Sequence, residues 1–466
     1  MNFDVNGWLM RRPVRLAIWA AVGVLSALKF CYLSADFPNW SPWMIDQAKF
    51  TDEGWWGGAA VRLALTGHWY AAGDYNPAVA LPVWPLLLSA VFHFTGVGAG
   101  AARALNVVLS IATLGVVYAL VRRYASGRAE TPALMAVLLL AASYATLRRL
   151  GLLAGIAVLV AAMILTKTTA ALLTPAVLWV AWSAMGRRLG GLVRALAAVV
   201  VAPAALVKGY ALLVAVLGYG ADYKYFFDVN AMPDIAWGQA LGTLRDLLEN
   251  CLWIDRVLAP IGLVILVVTV AWKRRLWGNP LFAASWMVVG AQAVFIFSRQ
   301  DDYAPRYFLP MLAPLVWIVV LTFGELMANA RKTAVLLLVG MIAAVAANAV
   351  MIRHFLHDRD YDFRDAAASI GEIVRSHPEQ KALLVGDSGA QISLMTGIPS
   401  ITDGFGTEDM AERMQRYQPG WYLAWNDTDP EKEDSLDGFR LEKMANCPAL
   451  DDDTRNVLTL YRLTRK

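Results

Sequence analysis

The chain has 466 residues, of which 58% are hydrophobic and 17% charged, with a mean hydropathy of +0.48 and a net charge of +4. Ordinary soluble domains carry about 25% charged residues, so this composition excludes a soluble protein and indicates many membrane segments. The small net charge lies in short clusters between apolar segments and does not favour nucleic-acid binding. The three cysteines are far apart in the sequence, so neither a disulfide framework nor a zinc site is indicated.

The first segment, "MNFDVNGWLMRRPVRLAIWA", has a basic flank followed by an apolar run and no small-residue cleavage site. It predicts an uncleaved membrane helix rather than a signal peptide. A membrane helix needs about 20 mostly apolar residues. On this criterion the sequence predicts eleven spans, at 16–34, 81–97, 101–121, 131–147, 151–166, 168–185, 193–216, 257–272, 280–298, 306–326 and 333–352.

The distribution of Lys and Arg predicts a cytoplasmic N-terminus in the cell inner membrane. Most basic clusters then lie inside, namely Arg11 with Arg12 and Arg15, Arg148 with Arg149, Arg187 with Arg188, Lys273 to Arg275, and Arg331 with Lys332. The exception is the cluster of Arg122, Arg123 and Arg128, which this count places outside. The predicted outer segments are 35–80, 217–256, 299–305 and the C-terminal tail, and the first two are rich in aspartate.

The composition changes at about Arg353, after a predicted membrane domain over 1–352. "RDAAASIGEIVRSH" and "DMAERMQRYQ" have the periodicity of amphipathic helices, and "KALLVG", "GWYLAWN" and "NVLTLYRL" resemble strands. Residues 353–466 therefore predict a small extracytoplasmic α/β domain, long enough to fold by itself. Its "GDSGA" stretch is interpreted as a turn, because no histidine partner for a serine hydrolase has suitable context.

The outer segment "TDEGWWGGAAVRLALTGHWY" begins with an acidic pair. Thr51 is a good N-cap, and Asp52 and Glu53 lie in the first helical turn, where the helix dipole favours carboxylates. Trp56, Ala59, Ala60 and Leu63 share one face, which predicts a helix lying in the headgroup plane with its apolar face down. Two interpretations remain open: a capped interfacial helix, or carboxylates at the mouth of a membrane cavity.

The order of features resembles the GT-C glycosyltransferases that use polyprenyl-phosphate sugars, including the protein mannosyltransferases of family 39, the aminoarabinose transferases and their galacturonosyl-transferring relatives. The ordered pieces are Asp52-Glu53, Gly67 to Trp69, Pro82 and Pro85, Gly96, Ala102-Arg103, "AGIAVLVAAMILTKTTAALLTP" and "APRYFLPMLAPL". The resemblance covers roughly 50–330 and implies a polytopic all-α membrane domain of about eleven helices. The lysine that often precedes the family's proline pair is missing from "VALPVWP".

The resemblance implies transfer of a sugar from a polyprenyl-phosphate donor to a lipid, glycan or protein acceptor outside the cytoplasm. Such a site needs one carboxylate as general base and cations that stabilise the leaving lipid phosphate. Asp52 is the predicted base, with Glu53 orienting the acceptor or a cation. The candidates for binding the donor phosphate are Lys167, Arg306, Arg299, His68 and Arg62. Lys167 and Arg306 also fit simple interfacial anchoring. Arg103, predicted near the inner face, suggests a structural role.

The second outer segment, "GYGADYKYFFDVNAMPDIAWG", resembles the loop that closes over substrates in these enzymes, although its composition also fits a plain interfacial loop. Tyr223 and Tyr225 are predicted to contact sugar or acceptor, together with Asp222 and Asp228. The two aspartates with Asp52 could hold Mg²⁺ or Mn²⁺. No cofactor is required by the predicted mechanism, and no metal site is assigned.

Two other classes of protein stay open at this point. A transporter or lipid flippase would show two matching halves and interrupted helices at the membrane midplane, and the sequence shows neither. A non-catalytic assembly partner would use the C-terminal tail as a docking module. The sugar, the acceptor and the role of the tail are not specified by the sequence.

Overall fold

The computed structural model describes residues 12–31, 33, 52–124, 136, 138, 156–230, 238, 276–298, 309–357, 362–386, 388–428, 430–449 and 457–466. It contains a helical region up to His357 and a smaller α/β region from Asp362 onward. This two-part organisation agrees with the predicted fold class. The described helices of the first region are α1 (Arg12–Leu28), α2 (Asp52–Thr66), α3 (Val83–Thr95), α4 (Ala99–Tyr124), α5 (Ile156–Ile164), α6 (Thr174–Ala184), α7 (Leu189–Leu196), α8 (Ala202–Val216), α9 (Gly220–Val229), α10 (Pro280–Phe297), α11 (Leu309–Asn329) and α12 (Arg331–His357).

Short 3-10 segments, Pro77–Val79, Thr168–Leu173 and Leu276–Gly278, connect some of these helices. A π-helical segment, Ala197–Val201, joins α7 to α8, so that Leu189–Val216 is one continuous apolar helix of 28 residues. π-helical segments are rare and frequently occur at functional sites. This one lies beside the cleft described below.

Four helices of the described residues are long and apolar enough to cross a membrane: Ala99–Arg123, Leu189–Val216, Pro280–Phe297 and Pro310–Asn329. Their inner faces pack tightly, with Phe282, Val316 and Phe323 fully buried in the largest core. Apolar side chains also cover the outside, as at Leu189, which is 79% exposed. A large apolar exterior is costly in water and suits lipid, so these helices form the membrane region.

The predicted span 81–97 differs from the structure, where α3 has 13 residues. At 1.5 Å per residue it is about 20 Å long, shorter than the ~30 Å hydrocarbon core. Leu88 and Phe92 pack against Ala60 and Val61 of α2, so α3 lies beside α2. Away from α2 the helix is also apolar, as at Phe94, which is 85% exposed.

This arrangement corrects the predicted side of Arg103. Arg103 lies in the first turns of α4 and forms an ion pair with Glu53, so it is on the side of the outer segment rather than the inner face. Arg122 and Arg123 lie in the last turn of α4, at the opposite end of the helix from Arg103.

The sequence predicts three spans between α4 and α7, and the first of them, 131–147, lies almost entirely outside the described residues. Arg103 at the start of α4 contacts the outer segment, and so does Asp222, just after α8. The helices Ala99–Arg123 and Leu189–Val216 therefore cross in opposite directions. In this stretch α5 has nine residues and α6 eleven, and a single 28-residue apolar helix follows.

The C-terminal α/β region contains α13 (Asp362–Ser376), β1 (Leu384–Val385), α14 (Gly389–Thr396), β2 (Ser400–Ile401), α15 (Met410–Tyr417), β3 (Trp421–Trp425), α16 (Glu433–Leu436), β4 (Phe439–Pro448) and β5 (Val457–Arg465). The five strands have the order β2-β1-β3-β5-β4. β1 is parallel to β2 and β3, whereas β5 is antiparallel to β3 and β4. The predicted helices at α13 and α15 and the strands β1, β3 and β5 are confirmed, while α14, β2 and β4 were not predicted.

The sheet buries apolar residues on both faces. Phe363, Ile370 and Trp421 belong to the core under α13, and Met414 with Tyr422 belongs to the core under α15. α13 and α15 are amphipathic, so each covers one face of the sheet with its apolar side.

The C-terminal region docks on the outer segment through α14. Gly54 of α2 lies so close to α14 that an added Cβ would come within 2.4 Å of the Gln391 nitrogen, so only glycine fits. Leu394 joins the apolar core of α2 and α3. Trp55 contacts Phe405 edge to face at 5.3 Å between ring centroids. Helix α2, predicted to lie in the headgroup plane, is therefore packed between α3 and the C-terminal region.

Candidate functional site

The N-terminal end of α2 carries the acidic pair. Asp52 is the first residue of α2, and its side chain lies outside the described part of the chain. The Glu53 carboxylate accepts from Arg103 Nη2 at 2.9 Å and from Nε at 3.2 Å. Arg103 Nη1 also donates to the carbonyl of Leu33. Glu53 is thus paired with the guanidinium of Arg103.

Gln391 connects this end of α2 to the C-terminal region. Its amide nitrogen lies 3.4 Å from Glu53 Oε2, and the residue is fully buried. The nearby Ser388 is buried as well and accepts from Trp425 Nε1 at 2.9 Å. Ser388 belongs to the "GDSGA" stretch, where a turn was predicted and where α14 begins. The serine thus contributes to the packing of the C-terminal region.

Farther along α2, Arg62 binds a buried aspartate. Its Nη1 lies 3.4 Å from Asp74 Oδ2, its Nη2 donates to Asn76 Oδ1 at 3.1 Å, and its Nε donates to the carbonyl of Trp69 at 3.2 Å. Arg62 was predicted to reach the donor phosphate. In the structure its three nitrogens are occupied by the protein.

Asp74 also binds the C-terminal region, and its side chain has no exposed surface. Its Oδ1 accepts from the Thr402 backbone at 3.0 Å and from the Thr402 hydroxyl at 2.9 Å. Arg413 Nη1 lies 3.2 Å from the same oxygen. The Asp74 carboxylate is therefore shared between α2 and the α/β region.

Asn76 extends these contacts to α9. Its amide donates to Asp222 Oδ1 at 2.9 Å, and the Tyr70 hydroxyl donates to Asp222 Oδ2 at 2.9 Å. Asp222 is buried, with both oxygens engaged by the protein. We call Arg62, Asp74, Asn76, Asp222, Tyr70, Thr402 and Arg413 the outer network. It contains two arginines and two aspartates, so its charges balance.

Burial dominates the titration of this network. It lowers the pKa of the Arg62 guanidinium, an effect that the adjacent Asp74 carboxylate opposes. It raises the pKa of the Tyr70 hydroxyl, and the hydrogen bond to Asp222 adds to this effect. The pKa of Tyr417, whose hydroxyl donates to the Ala72 carbonyl, is raised by burial and then by Asp74. The phenols therefore stay protonated and keep donating.

The remaining predicted residues have different surroundings. Tyr225 accepts a hydrogen bond from the Gly406 amide at 3.0 Å, so it joins α9 to the C-terminal region. His68 and Asp228 are exposed. The predicted phosphate ligands Arg299 and Arg306 lie outside the described residues. Within the described part of the chain, no group of three or more His, Cys, Asp or Glu side chains could hold a metal ion.

A cleft of about 450 Å³ opens between α5, α6 and α8. Its lining is mostly aliphatic and consists of Val160, Ile164, Thr174, Val199, Val200, Pro203, Ala204, Val207, Lys208, Ala211 and Tyr223. The predicted sugar-contacting Tyr223 thus lines it, and burial raises the pKa of this phenol. The cleft combines an apolar wall with an amine and a phenol, which suits an amphiphile with a polar head.

Lys208 lies close to the outer segment. Two residues farther along α8, about 3 Å along the helix axis, the Tyr210 hydroxyl donates to the Val79 carbonyl at 2.8 Å. Among the described residues, no carboxylate forms an ion pair with Lys208. A charged residue inside an apolar helix is by default a candidate for function.

Lys167 lies beside the same cleft. It connects α5 to the 3-10 segment Thr168–Leu173 in an extended conformation, and it is partly buried. Ile164 before it and Thr174 after it both line the cleft. The structure therefore places one lysine, Lys208, in the lining of this cleft and a second, Lys167, in the segment that connects two of its walls.

Sequence reasoning missed Lys208, Asp74 and Arg413. Lys208 was visible as a single charge within a long apolar helix, a signal that was available. Asp74 was noted as one of several acidic residues in the outer segment, but nothing in the sequence marked it as buried. Arg413 lies on an ordinary amphipathic helix 339 residues away from Asp74, and only the fold brings them together.

The described residues form apolar helices long enough to cross a membrane, an outer segment with two short helices, and an α/β region packed on that segment. This combination defines a multi-pass membrane protein. The sequence matches no protein-family model, and a search of curated protein sequences gives no significant match.

Solved structures do match. The crystal structure of ArnT from Cupriavidus metallidurans in the apo state aligns with a TM-score of 0.56 at 14% identity, covering 98% of both chains. The structure of the same ArnT bound to undecaprenyl phosphate aligns with a TM-score of 0.54, again at 14% identity and 98% coverage of both chains. The similarity to ArnT, a GT-C aminoarabinose transferase, confirms that the chain has the GT-C fold.

Proposed function

We propose that the protein is a membrane glycosyltransferase that takes a sugar from a polyprenyl-phosphate donor. The observation that carries the proposal is the similarity of the whole chain to ArnT, which binds undecaprenyl phosphate in one of the matching structures. The cleft of this protein supports the same ligand class. Its wall is mostly aliphatic, as a prenyl chain requires, and it has one amine, that of Lys208, near the outer segment.

The donor splits at its anomeric C–O bond, and the lipid phosphate leaves as an anion. We assign Lys208 and Lys167 to this phosphate, with Arg299 and Arg306 as further candidates. Cations stabilise charge that develops on a leaving oxygen, and they do so most effectively where water is excluded. Lys208 replaces, in function, the lysine that the family carries before its proline pair and that this chain lacks.

The acceptor must lose a proton as its oxygen or nitrogen bonds to the anomeric carbon. We assign Asp52 as the general base, because it opens α2 beside Glu53. The Glu53–Arg103 ion pair fixes the neighbouring position of the same helical turn. General-base help of this kind contributes about 100- to 10,000-fold. The acceptor is a lipid, glycan or protein outside the cytoplasm, and no cofactor is required.

The proposal includes a topology. Residues 1–352 form the inner-membrane transferase domain with a cytoplasmic N-terminus. Residues 353–466 form the extracytoplasmic domain that covers the outer segment 35–80. The contacts of α14 with α2 support this placement, since both must then lie on one side of the membrane.

Reconstitution tests the function. Purified protein in phospholipid vesicles receives a radiolabelled undecaprenyl-phosphate sugar, together with lipid A, envelope glycans or envelope proteins as acceptors. We expect label to move to one acceptor class, with free undecaprenyl phosphate as the second product. Transport of the donor across the bilayer without covalent change would instead identify a flippase.

Binding is measured separately by native mass spectrometry with undecaprenyl phosphate alone. We expect retention of one lipid by the wild type and loss of that retention in Lys208→Met. A donor that binds without being consumed by any acceptor would overturn the transferase assignment while leaving the lipid site in place.

A further inference from the structure

We infer that Asp74 is a positioning residue: by binding Arg62 of α2 and Arg413 of the C-terminal region together, it fixes the helix that carries Asp52 and Glu53. This inference rests on the proposed function for its catalytic meaning. Its structural half, the clamping of α2 by the C-terminal region, does not depend on that function.

The first step of the inference is that Asp74 cannot act on substrate itself. Its side chain is completely buried, and both carboxylate oxygens accept from protein donors. Arg413 is almost as buried, with a side chain 2% exposed. It also donates to the carbonyls of Thr402 and Phe405 at 2.6 Å. This centre is therefore rigid and closed to solvent.

The second step is that α2 is held at both ends by the same C-terminal region. At its start, Gly54 packs on α14 and Gln391 reaches Glu53. About two turns later, Arg62 binds Asp74. A helix fixed at two points cannot rotate or slide, so the direction of its first-turn carboxylates is set.

The third step is that the clamp includes the segment after α8. Asn76 bonds at once to Arg62 and Asp222, so the outer network joins α2 to α9. α9 contributes Tyr223 to the cleft. The C-terminal region thereby fixes α2 and the rim of the cleft as one unit. We assign it a positioning role rather than the separate docking role that the sequence left open.

Hydrogen–deuterium exchange of the full-length protein in detergent tests the clamp without any catalysis. In Asp74→Asn we expect the amides of α2 to exchange at least tenfold faster than in the wild type, together with those of 70–76. The matched control is Asp403→Asn. Asp403 is another buried aspartate, but it pairs with Lys432 inside the C-terminal region. We expect α2 to exchange at the wild-type rate there.

Asp74→Asn leaves two arginines facing one aspartate, so the variant could fail to fold. The double variant Asp74→Asn/Arg413→Gln restores the charge balance while still removing the link. We expect it to be monodisperse by gel filtration and to show the same fast exchange in α2. Wild-type protection of α2 in the double variant would overturn the inference.

Turnover kinetics with the labelled donor test the catalytic half. We expect kcat to fall at least tenfold in the double variant, with a donor KM within threefold of wild type, because the lipid cleft stays formed. A loosened α2 with unchanged kcat would overturn the positioning role. If the wild type shows no transfer at all, the proposed function fails, and the exchange data still decide whether the clamp exists.

Discussion

The outer network and the membrane cleft both contain charged side chains, but they differ in burial and in pairing. In the network, two arginines meet two aspartates, and every oxygen of Asp74 accepts a hydrogen bond. In the cleft, Lys208 is exposed at a mostly aliphatic wall and has no carboxylate partner among the described residues. Charge neutralised inside the protein holds the structure together, whereas charge without an internal counter-ion is available for a ligand.

Helix α2 carries both Arg62, which lies in the outer network, and Asp52, the proposed base. The largest expected effect is on turnover, at the proposed base. Asp52→Asn should lower turnover by about 100- to 10,000-fold, because the acceptor loses its general base, while the thermal unfolding midpoint stays unchanged. The measurement is label transfer per minute, with Asp437→Asn, at an exposed site, as the control. Full activity in Asp52→Asn would contradict the catalytic assignment.

The second-largest effect is a loss of stability when the outer network loses a charge. Asp74→Asn leaves two buried guanidinium groups with one counter-ion, and breaking a buried pair typically costs about 3–5 kcal/mol. We expect a loss of that size in guanidinium unfolding followed by tryptophan fluorescence. Asp403→Asn should lose only about 1 kcal/mol, because its partner Lys432 is partly solvated. If Asp74→Asn and Asp403→Asn lost equal free energies of unfolding, Asp74 would contribute no more to stability than a buried aspartate inside the C-terminal region.

The third effect concerns the cleft. Lys208→Met keeps the length and the apolar stem of the side chain but removes its charge. A hydrogen bond to a charged group contributes about 1.5–3 kcal/mol, so the donor KM should rise roughly 10- to 100-fold. Unfolding should be unaffected, because no internal ion pair is lost. Lys224→Met on α9, where the side chain is exposed, is the matched control and should leave KM unchanged.

The smallest effect is a pH dependence of the network. The pKa of Tyr70 is raised above its ordinary value of about 10, chiefly by burial and then by its bond to Asp222. A group whose pKa is higher in the folded than in the unfolded protein stabilises the fold fully at pH values below its unfolded-state pKa. This stabilisation is lost as the pH rises through the folded-state pKa. The wild type should therefore lose about 1 kcal/mol between pH about 10 and pH about 11, because the phenol ionises in the unfolded state while folded Tyr70 stays protonated and bonded to Asp222.

Tyr70→Phe should lack this alkaline component and have the lower stability already at neutral pH. The comparison is made by thermal unfolding between about pH 8 and pH 11, with Tyr461→Phe as a second tyrosine that bonds to an exposed aspartate, Asp427. Identical pH profiles for Tyr70→Phe and the wild type would show that this hydrogen bond contributes nothing to the network.

Parts of the fold follow directly from local sequence pattern. The long apolar run at Leu189–Val216 has the length of a membrane helix, and the short aromatic and apolar run at Trp421–Trp425 has the length of a buried strand. The ordered motifs from Asp52 to Arg103 indicate the GT-C fold through their sequence alone. Hydropathy does not separate α3 from a full span, since a short apolar helix that packs on α2 with one face has the same composition as a segment that crosses the membrane.

The sequence by itself established a membrane protein of GT-C type with an α/β tail, and it placed an acidic pair and Lys167 among the residues worth testing. The tertiary structure decided which charges are occupied: Arg62 is committed to Asp74, Arg103 lies beside Glu53, and Lys208 faces a cleft. The reason is physical. Composition and periodicity report how each segment meets its solvent, but a counter-ion 339 residues away is chosen only when the folded chain brings the two groups together.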